Sequence, residues 1–84
     1  MKHARADYQR IQDPAGLIPD DEPVMLFRAQ DVFAPVIVEA WAALEEAAGQ
    51  QAPAELARSQ AAYMRAWQAE HGYKVPDLPD EAYQ

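Results

Sequence analysis

The longest apolar pattern of the chain lies between residues 23 and 44, in the stretch PVMLFRAQDVFAPVIVEAWAAL. Its first half contains four large apolar residues in succession, VMLF, which predicts a β-strand over 24–28. Its second half repeats apolar residues at three- and four-residue spacing, which predicts an α-helix over 32–48. Asp31 lies at the junction and belongs to a residue type favoured as a helix N-cap. The stretch therefore predicts a strand that leads directly into a helix.

A second helix is predicted over 53–70, with Pro53 in its first turn and Gly72 just beyond its end. A short connection containing Gly49 joins the two helices, so they should pack as an antiparallel hairpin. One face of each helix is expected to lie between them. On the first helix this buried face consists of Phe33, Ile37, Ala40, Trp41, Leu44, Ala47 and Ala48, and the outer face of Glu39, Ala42, Glu45 and Glu46. On the second helix the buried face consists of Leu56, Ala57, Gln60, Tyr63, Met64, Trp67 and His71. The alternative is that part of this stripe is covered by a copy of the chain or by another protein.

The N-terminal third predicts a flexible arm over 1–7 and then a β-hairpin over 8–18. Asp13-Pro14-Ala15-Gly16 has the residue types of a type I turn, with Gly16 free to adopt positive φ. The expected fold class is α+β: a two- to three-stranded antiparallel sheet from residues 8–28 packed on the helical hairpin. An extended tail over 73–84 completes a single small domain spanning 1–84.

Composition narrows the function classes. The 84 residues contain no Cys, 14 acidic and 7 basic residues, and a formal charge of −7. Phosphate binding needs a basic surface, so direct nucleic-acid binding is not expected. The absence of Cys favours a reducing cytoplasm, and there is no apolar run of about 18 residues that would predict a membrane span. The acidic balance instead suits a basic protein surface as the partner; an acidic surface that only keeps the protein soluble is the competing explanation.

Groups suited to catalysis are scarce. The sequence has no Thr, no Asn, one Ser (Ser59) and two His (His3 and His71), and Ser59 and His71 are too far apart along one helix to meet. The two His have no metal-ligand spacing, and the acidic run at 20–22 lacks the Gly and alternating ligands of a calcium loop. We therefore expect a protein that is not an enzyme, with no cofactor and no metal.

Two sets of candidate site residues remain. The first is a partner-binding set of carboxylates that would occupy Lys and Arg sites on a basic surface: Asp20, Asp21, Glu22, Glu45, Glu46, Asp77, Asp80 and Glu81. The second is a ligand-binding alternative at the strand–helix junction, where free N–H groups and Arg side chains attract anions: Arg10, Arg28, Gln30 and Asp31. Capping by Asp31 is the competing explanation for the second set.

Several segments carry a resemblance: YQRIQDP at 8–14, IPDDEPV at 18–24 and LFRAQD at 26–31, followed by Ala34-Pro35 and Trp41-Ala42. With these segments the first half of the chain resembles small uncharacterised proteins of bacteria and their phages. Small, acidic, Cys-free proteins of mobile elements include anti-CRISPR inhibitors. The resemblance thus implies a phage or mobile-element protein that inhibits a host defence complex in the bacterial cytosol. Its partner would be a CRISPR effector subunit whose nucleic-acid-binding surface it occludes. A small-ligand or nucleotide-binding sponge and a structural homodimer are the alternatives.

Overall fold

The computed structural model describes residues 1–8 and 12–77, and the chain divides into two compact units. The N-terminal unit contains the described residues up to Leu26 together with Asp77. The helical unit contains Phe27–Pro76. Helices and strands are both present, so the fold class is α+β, as predicted.

The N-terminal unit contains a very small sheet. Strand β1 (Lys2–His3) pairs with strand β2 (Pro23–Val24) in parallel, with Lys2 opposite Pro23. The N–H of Lys2 donates to the carbonyl of Glu22 at 2.7 Å, and the N–H of Ala4 donates to the carbonyl of Val24 at 2.8 Å. A short 3₁₀ helix, Ala6–Tyr8, follows β1. The predicted antiparallel sheet is therefore wrong, and residues predicted as a flexible arm supply one of the two strands.

The turn between the predicted hairpin strands does form. The N–H of Gly16 donates to the carbonyl of Asp13 at 3.0 Å, and Gly16 has φ +65°. The carboxylate of Asp13, however, accepts the N–H of Ile18 at 2.9 Å, so this donor is not available for a return strand. Residues 9–11 of the predicted first strand lie outside the described residues. The predicted strand at 24–28 is reduced to its first residue, paired within Pro23–Val24.

Helix α1 (Ala34–Ala47) is rich in Ala and Glu, which are strong helix formers, and Pro35 is tolerated near its start. The residue in the N-cap position is Phe33, not Asp31 as predicted. Asp31 still contributes at this end, because its carboxylate accepts the N–H of Phe33 at 2.7 Å. Two residues of turn separate Asp31 from the helix, so it acts through a local turn and not as the cap itself.

The end of α1 is set by Gly49, as predicted. The N–H of Gln50 donates to the carbonyl of Glu45, the N–H of Gly49 donates to that of Glu46, and Gly49 has φ +83°. This is the bonding pattern of a Schellman motif, which favours glycine at the left-handed position. Helix α2 (Gln51–His71) begins at once and ends at Gly72, which has φ +87°.

Small residues form the contact between the two helices. Among the described residues, the buried apolar ones are Ala34, Ala42, Ala54, Ala57, Ala61 and Met64, with Pro35 also buried. We call the five buried alanines the alanine seam. The predicted buried face of α1 is wrong: all of its seven residues are exposed, whereas Ala42, assigned to the outer face, is fully buried. On α2 only Ala57 and Met64 of the predicted face are buried.

After α2 the chain returns to the loop that precedes α1. The N–H of Lys74 donates to the carbonyl of Gln30 at 2.9 Å, and the N–H of Val32 donates to the carbonyl of Lys74 at 3.0 Å. Gln68 of α2 supports the same loop, because its side-chain amide donates to the carbonyls of Ala29 and Asp31. The start of the predicted tail is therefore bonded to the helical unit, while residues 78–84 lie outside the described part of the chain.

Candidate functional site

Two ion pairs link the helices on one edge of the hairpin. Arg58 of α2 contacts Glu46 of α1 at 2.8 Å, and Arg65 of α2 contacts Glu39 of α1. We call this side the charged edge. Because the helices are antiparallel, the two pairs fix both the side and the register of the contact: residues near the end of α1 face residues near the start of α2.

The large apolar side chains lie on the opposite side of the seam. At 100° per residue, positions 33, 37, 41 and 44 of the first helix segment project away from Glu39 and Glu46. Positions 56, 63 and 67 project away from the arginines of α2 in the same way. Since the ion pairs fix one edge for both helices, these two stripes form one common surface. We call it the apolar face, defined as Phe33, Ile37, Trp41, Leu44, Leu56, Tyr63 and Trp67.

Every residue of the apolar face is exposed. Leu44 is 70% exposed and Tyr63 is 71% exposed, while the least exposed member, Ile37, is at 39%. Together they present on the order of 700 Å² of mostly apolar surface, taking about 150–250 Å² for a whole aromatic side chain. Patches on monomeric proteins rarely exceed about 300–600 Å², and larger ones mark interaction sites. The apolar face therefore has the size of a docking surface.

The register of the two helices determines which side chains of the apolar face lie next to each other. With Glu39 beside Arg65 and Glu46 beside Arg58, Trp41 comes level with Tyr63, and Ile37 comes level with Trp67. Trp67 also packs against His71, with ring centroids 4.6 Å apart. The centre of the face is thus aromatic and aliphatic side chains in adjacent rows, a composition typical of the core of protein interfaces.

No Asp, Glu, Lys or Arg lies between the members of the apolar face along α1 and α2, but two carboxylates border it: Glu45 follows Trp41 by four residues, and Glu70 follows Tyr63 by seven. The positions between its members, on the same side of α1 and α2, are Ala40, Ala48 and Gln60. Glu39 and Glu46 lie on the charged edge and are already paired. The centre of the face therefore offers apolar contact without a charged side chain.

The predicted acidic set is distributed over both units. Asp20, Asp21 and Glu22, which we call the acidic loop, are exposed in the N-terminal unit, and no ion pair joins them to another described residue. The loop is held by its backbone: the N-terminal ammonium and the N–H of Glu22 both donate to the carbonyl of Pro19, at 2.5 Å and 3.1 Å.

The other members of the set differ from the loop. Glu46 is paired with Arg58, Glu45 is partly buried near the end of α1, and Asp77 has interactions of its own. Asp80 and Glu81 lie outside the described residues. The structure therefore groups the three loop carboxylates in the N-terminal unit, whereas Glu45 and Glu46 belong to the helical unit.

Arg5, which follows β1, forms an ion pair with a nearby carboxylate. Arg5 donates two hydrogen bonds to the carboxylate of Asp7, at 3.0 Å and 2.5 Å, and its guanidinium lies 4.4 Å from the centre of the Tyr8 ring. The hydrogen bond to Asp7 raises the pKa of the Arg5 guanidinium above its ordinary value. Arg5 is thus committed to neighbours on its own segment.

One residue of the alternative ligand-binding set lines a small cavity. Gln30 lines a shallow depression of about 200 Å³ in the helical unit. The other lining residues are Trp67, His71, Gly72, Tyr73 and Lys74. Arg28 is exposed in the adjoining loop, the carboxylate of Asp31 is bonded to Phe33, and Arg10 lies outside the described residues. The cavity is below the usual range of about 300–1,000 Å³ for small-molecule sites, so it would hold at most a group the size of one ring system.

Within residues 1–8 and 12–77, no three His, Cys, Asp or Glu side chains come together as a metal site. In the same part of the chain, neither helix combines the length and the hydropathy that crossing a lipid bilayer requires.

Sequence reasoning favoured the core for the large side chains and gave a stripe covered by a partner only as the alternative. The signal that could have found the apolar face is a second stripe of small residues. Ala34, Val38 and Ala42 on α1, and Ala54, Ala57 and Ala61 on α2, repeat at three- and four-residue spacing beside the large stripe. Two parallel apolar stripes on one helix indicate two contacts, one within the chain and one beyond it.

Comparisons with protein-family models, with curated proteins and with solved structures found no match to this chain.

Proposed function

We propose that this chain is a non-enzymatic binding protein that docks on a basic surface of another protein. The partner class we favour is a nucleic-acid-binding subunit of a bacterial defence complex, such as a CRISPR effector, which the chain would inhibit. The single observation that carries this proposal is the run of three exposed carboxylates at 20–22, in the part of the sequence that holds most of the net negative charge. The resemblance to small phage and bacterial proteins is what suggests the defence complex.

The charge is concentrated outside the hairpin. Residues 27–76 contain four basic and six acidic residues, a net charge of −2, whereas the rest of the sequence contains three basic and eight acidic residues, a net charge of −5. The exposed carboxylates of the acidic loop have no ion-pair partner among the described residues, unlike Glu39 and Glu46. Exposed carboxylates at the rim of a protein–protein interface increase the rate of association with a basic surface and disfavour acidic partners.

The mechanism is competition for cationic sites. When Lys and Arg side chains bind the phosphates of a nucleic acid, the counterions condensed on that nucleic acid are released. Carboxylates can bind the same Lys and Arg side chains in place of the phosphates. The acidic loop would place three charges on consecutive residues held by the bonds to Pro19. Binding of the chain would then exclude DNA or RNA from the occupied surface by charge and by volume.

The test is binding to purified effector subunits by surface plasmon resonance at low and at physiological salt. We expect binding that weakens as salt rises, and displacement of DNA or guide RNA from the same subunit. The variant Asp20→Asn/Asp21→Asn/Glu22→Gln should weaken binding by at least tenfold, because three charge-assisted contacts are lost.

A matched control removes the same charge from the hairpin. The variant Glu39→Gln/Glu55→Gln/Glu70→Gln has the same net charge as the loop variant but leaves the acidic loop intact. It should bind nearly as well as the unmodified chain. If both variants lose affinity equally, net charge alone governs the interaction; if no subunit binds at low salt, the proposal fails.

A second candidate function is binding of a small planar ligand, such as a nucleotide, in the cavity beside Gln30. The observation that favours it is the lining by Trp67, His71 and Tyr73, because aromatic side chains stack on bases at about 1–3 kcal/mol each. Arg28 in the adjoining loop could contact a phosphate.

A thermal-shift screen with nucleosides and nucleotides tests this candidate. A ligand that binds only the folded state raises the melting temperature as its concentration increases. Tyr73→Ala and Arg28→Ala should each reduce the shift, whereas Tyr63→Ala, on the apolar face outside the cavity lining, should not. No shift with any nucleotide at millimolar concentration would remove the candidate.

A further inference from the structure

We propose that the apolar face is the interface of a homodimer, in which the helical hairpins of two chains pack face to face as a four-helix bundle. The inference concerns a different surface from the acidic loop and does not depend on the proposed function. It commits to one occupant, a second copy of this chain.

The first argument is area. The exposed surface of the seven side chains, on the order of 700 Å², is close to the roughly 800 Å² that each partner contributes to a standard stable interface. It is formed by the members of the apolar face on both helices, which run along each helix for three turns. An interface of this size and composition supports a stable dimer and exceeds what a transient contact needs.

The second argument is the weakness of the hairpin alone. Its fully buried side chains are Ala34, Pro35, Ala42, Ala54 and Ala61, none of them larger than proline. Helical domains normally bury a stripe of large side chains against further helices, and a two-helix hairpin has only one such contact. A second layer is therefore needed whenever the protein folds. A second copy is the one partner that is always present in equal amount.

The third argument is charge. Two copies that each carry −7 repel one another unless their charges point away from the contact. The apolar face contains no charged side chain, and Glu39, Glu46, Arg58 and Arg65 are paired on the opposite edge. The uncharged centre, with Gln60 as its polar residue, suits a like-charged copy.

Two-fold symmetry is compatible with the arrangement. In a symmetric dimer the same patch is used twice, so a flat, uncharged face of two antiparallel helices can pack on itself. Trp41 and Tyr63 lie level at the middle of the face, and they would contact their counterparts near the symmetry axis. The four helices would then enclose the aromatic side chains that a single hairpin leaves in solvent.

The test is the mass of the full chain by light scattering and sedimentation across protein concentration. A dimer of the 9.4-kDa chain is expected at micromolar concentration, with dissociation on dilution. Its melting temperature should rise with protein concentration, because folding and association are coupled. Tryptophan emission from Trp41 and Trp67 should shift to longer wavelength as the dimer dissociates.

The decisive variant is Tyr63→Arg, which introduces a charge into each copy of the face. Tyr63 is 71% exposed, so a single hairpin has room for arginine. We expect the mass to fall by half while the far-ultraviolet circular dichroism is retained. The control Glu39→Gln/Arg65→Gln, on the charged edge, should remain a dimer.

Three results would overturn the inference: a monomeric unmodified chain at 100 μM or higher concentrations, a Tyr63→Arg variant that remains a dimer, or a control variant that dissociates equally. If Tyr63→Arg fails to fold, the milder Leu44→Ser and the concentration dependence of the unmodified chain decide the matter. The outcome is separate from that of the acidic-loop experiment, since the loop variant keeps the whole apolar face.

Discussion

The alanine seam and the apolar face lie side by side on the same two helices, but they contain side chains of opposite size. The seam consists of alanines that are buried, and the face consists of seven large side chains that are all exposed. Small side chains allow helix axes to approach to about 8 Å, at the short end of the usual range. At that separation there is no room for Trp41 or Tyr63 between the helices.

This difference in side-chain size implies that burying the two surfaces would contribute different amounts of free energy. A buried alanine contributes little, because stabilisation by burial is about 0.8 kcal/mol per buried methylene group. A fully buried large apolar side chain contributes about 1.5–3 kcal/mol. The chain therefore uses its weakest apolar contacts within the hairpin and keeps its strongest ones available for a contact with another molecule.

The largest expected effect comes from enlarging the seam. Ala61→Leu should reduce the free energy of unfolding by about 3 kcal/mol, because a leucine side chain in a fully buried position forces the helices apart. Ala62→Leu, at the next and exposed position, should change it by less than about 0.5 kcal/mol. Urea denaturation at one protein concentration measures both. Equal losses would mean that the seam is not close-packed.

Truncating the apolar face tests whether something covers it. Leu44→Ala should cost about 2 kcal/mol at protein concentrations where the face is covered, as for a buried leucine. The same change at Leu17, which is 80% exposed in the N-terminal unit, should cost less than about 0.5 kcal/mol. Thermal unfolding of both variants over a hundredfold concentration range compares them. A negligible cost for Leu44→Ala at every concentration would leave the face in solvent.

One polar contact supports the hairpin at the entrance of α1. Gln68→Met removes the donor to the carbonyls of Ala29 and Asp31, and it should lower the free energy of unfolding by about 1–2 kcal/mol. Gln60→Met makes the same chemical change on the apolar face, where it should not destabilise the chain. Hydrogen exchange of the amides of residues 29–32 would show whether the loss is local.

The smallest effect is expected at the charged edge. Glu39→Gln/Arg65→Gln should cost about 0.5 kcal/mol, because both partners are half exposed and exposed ion pairs are weak. The difference from the unmodified chain should decrease when sodium chloride is raised to about 1 M, where charges are screened within about 3 Å. A salt-independent loss above 2 kcal/mol would show that the pairs do more than set the register.

Local signals in the sequence predicted a large part of the fold. The two helices, the turn at Asp13 and the helix ends at Gly49 and Gly72 were predicted correctly, because capping and turn formation depend on neighbouring residues. The class α+β was predicted as well. The direction of the sheet was not, since β1 comes from a polar segment whose residues carry no strand pattern, and the paired residues, such as Lys2 and Pro23, are 21 positions apart.

The candidate site was only partly predictable. Each residue of the apolar face was identified as apolar and helical, but the choice between the core and an exposed surface depends on which of two stripes the helices pack together. The periodicity of large residues favoured Phe33, Ile37 and Trp41 as the core. The structure packs the small residues beside them instead, and this turns the large residues to the outside.

The sequence by itself determined the helices, their C-terminal ends, the acidic loop and the excess of negative charge, because these depend on residue type and on neighbours a few positions away. The tertiary structure decided the rotation of each helix about its axis. That rotation follows from close packing between the alanines and from the ion pairs Glu39–Arg65 and Glu46–Arg58, which form between residues far apart in the chain. It decided which apolar stripe is buried and which is exposed.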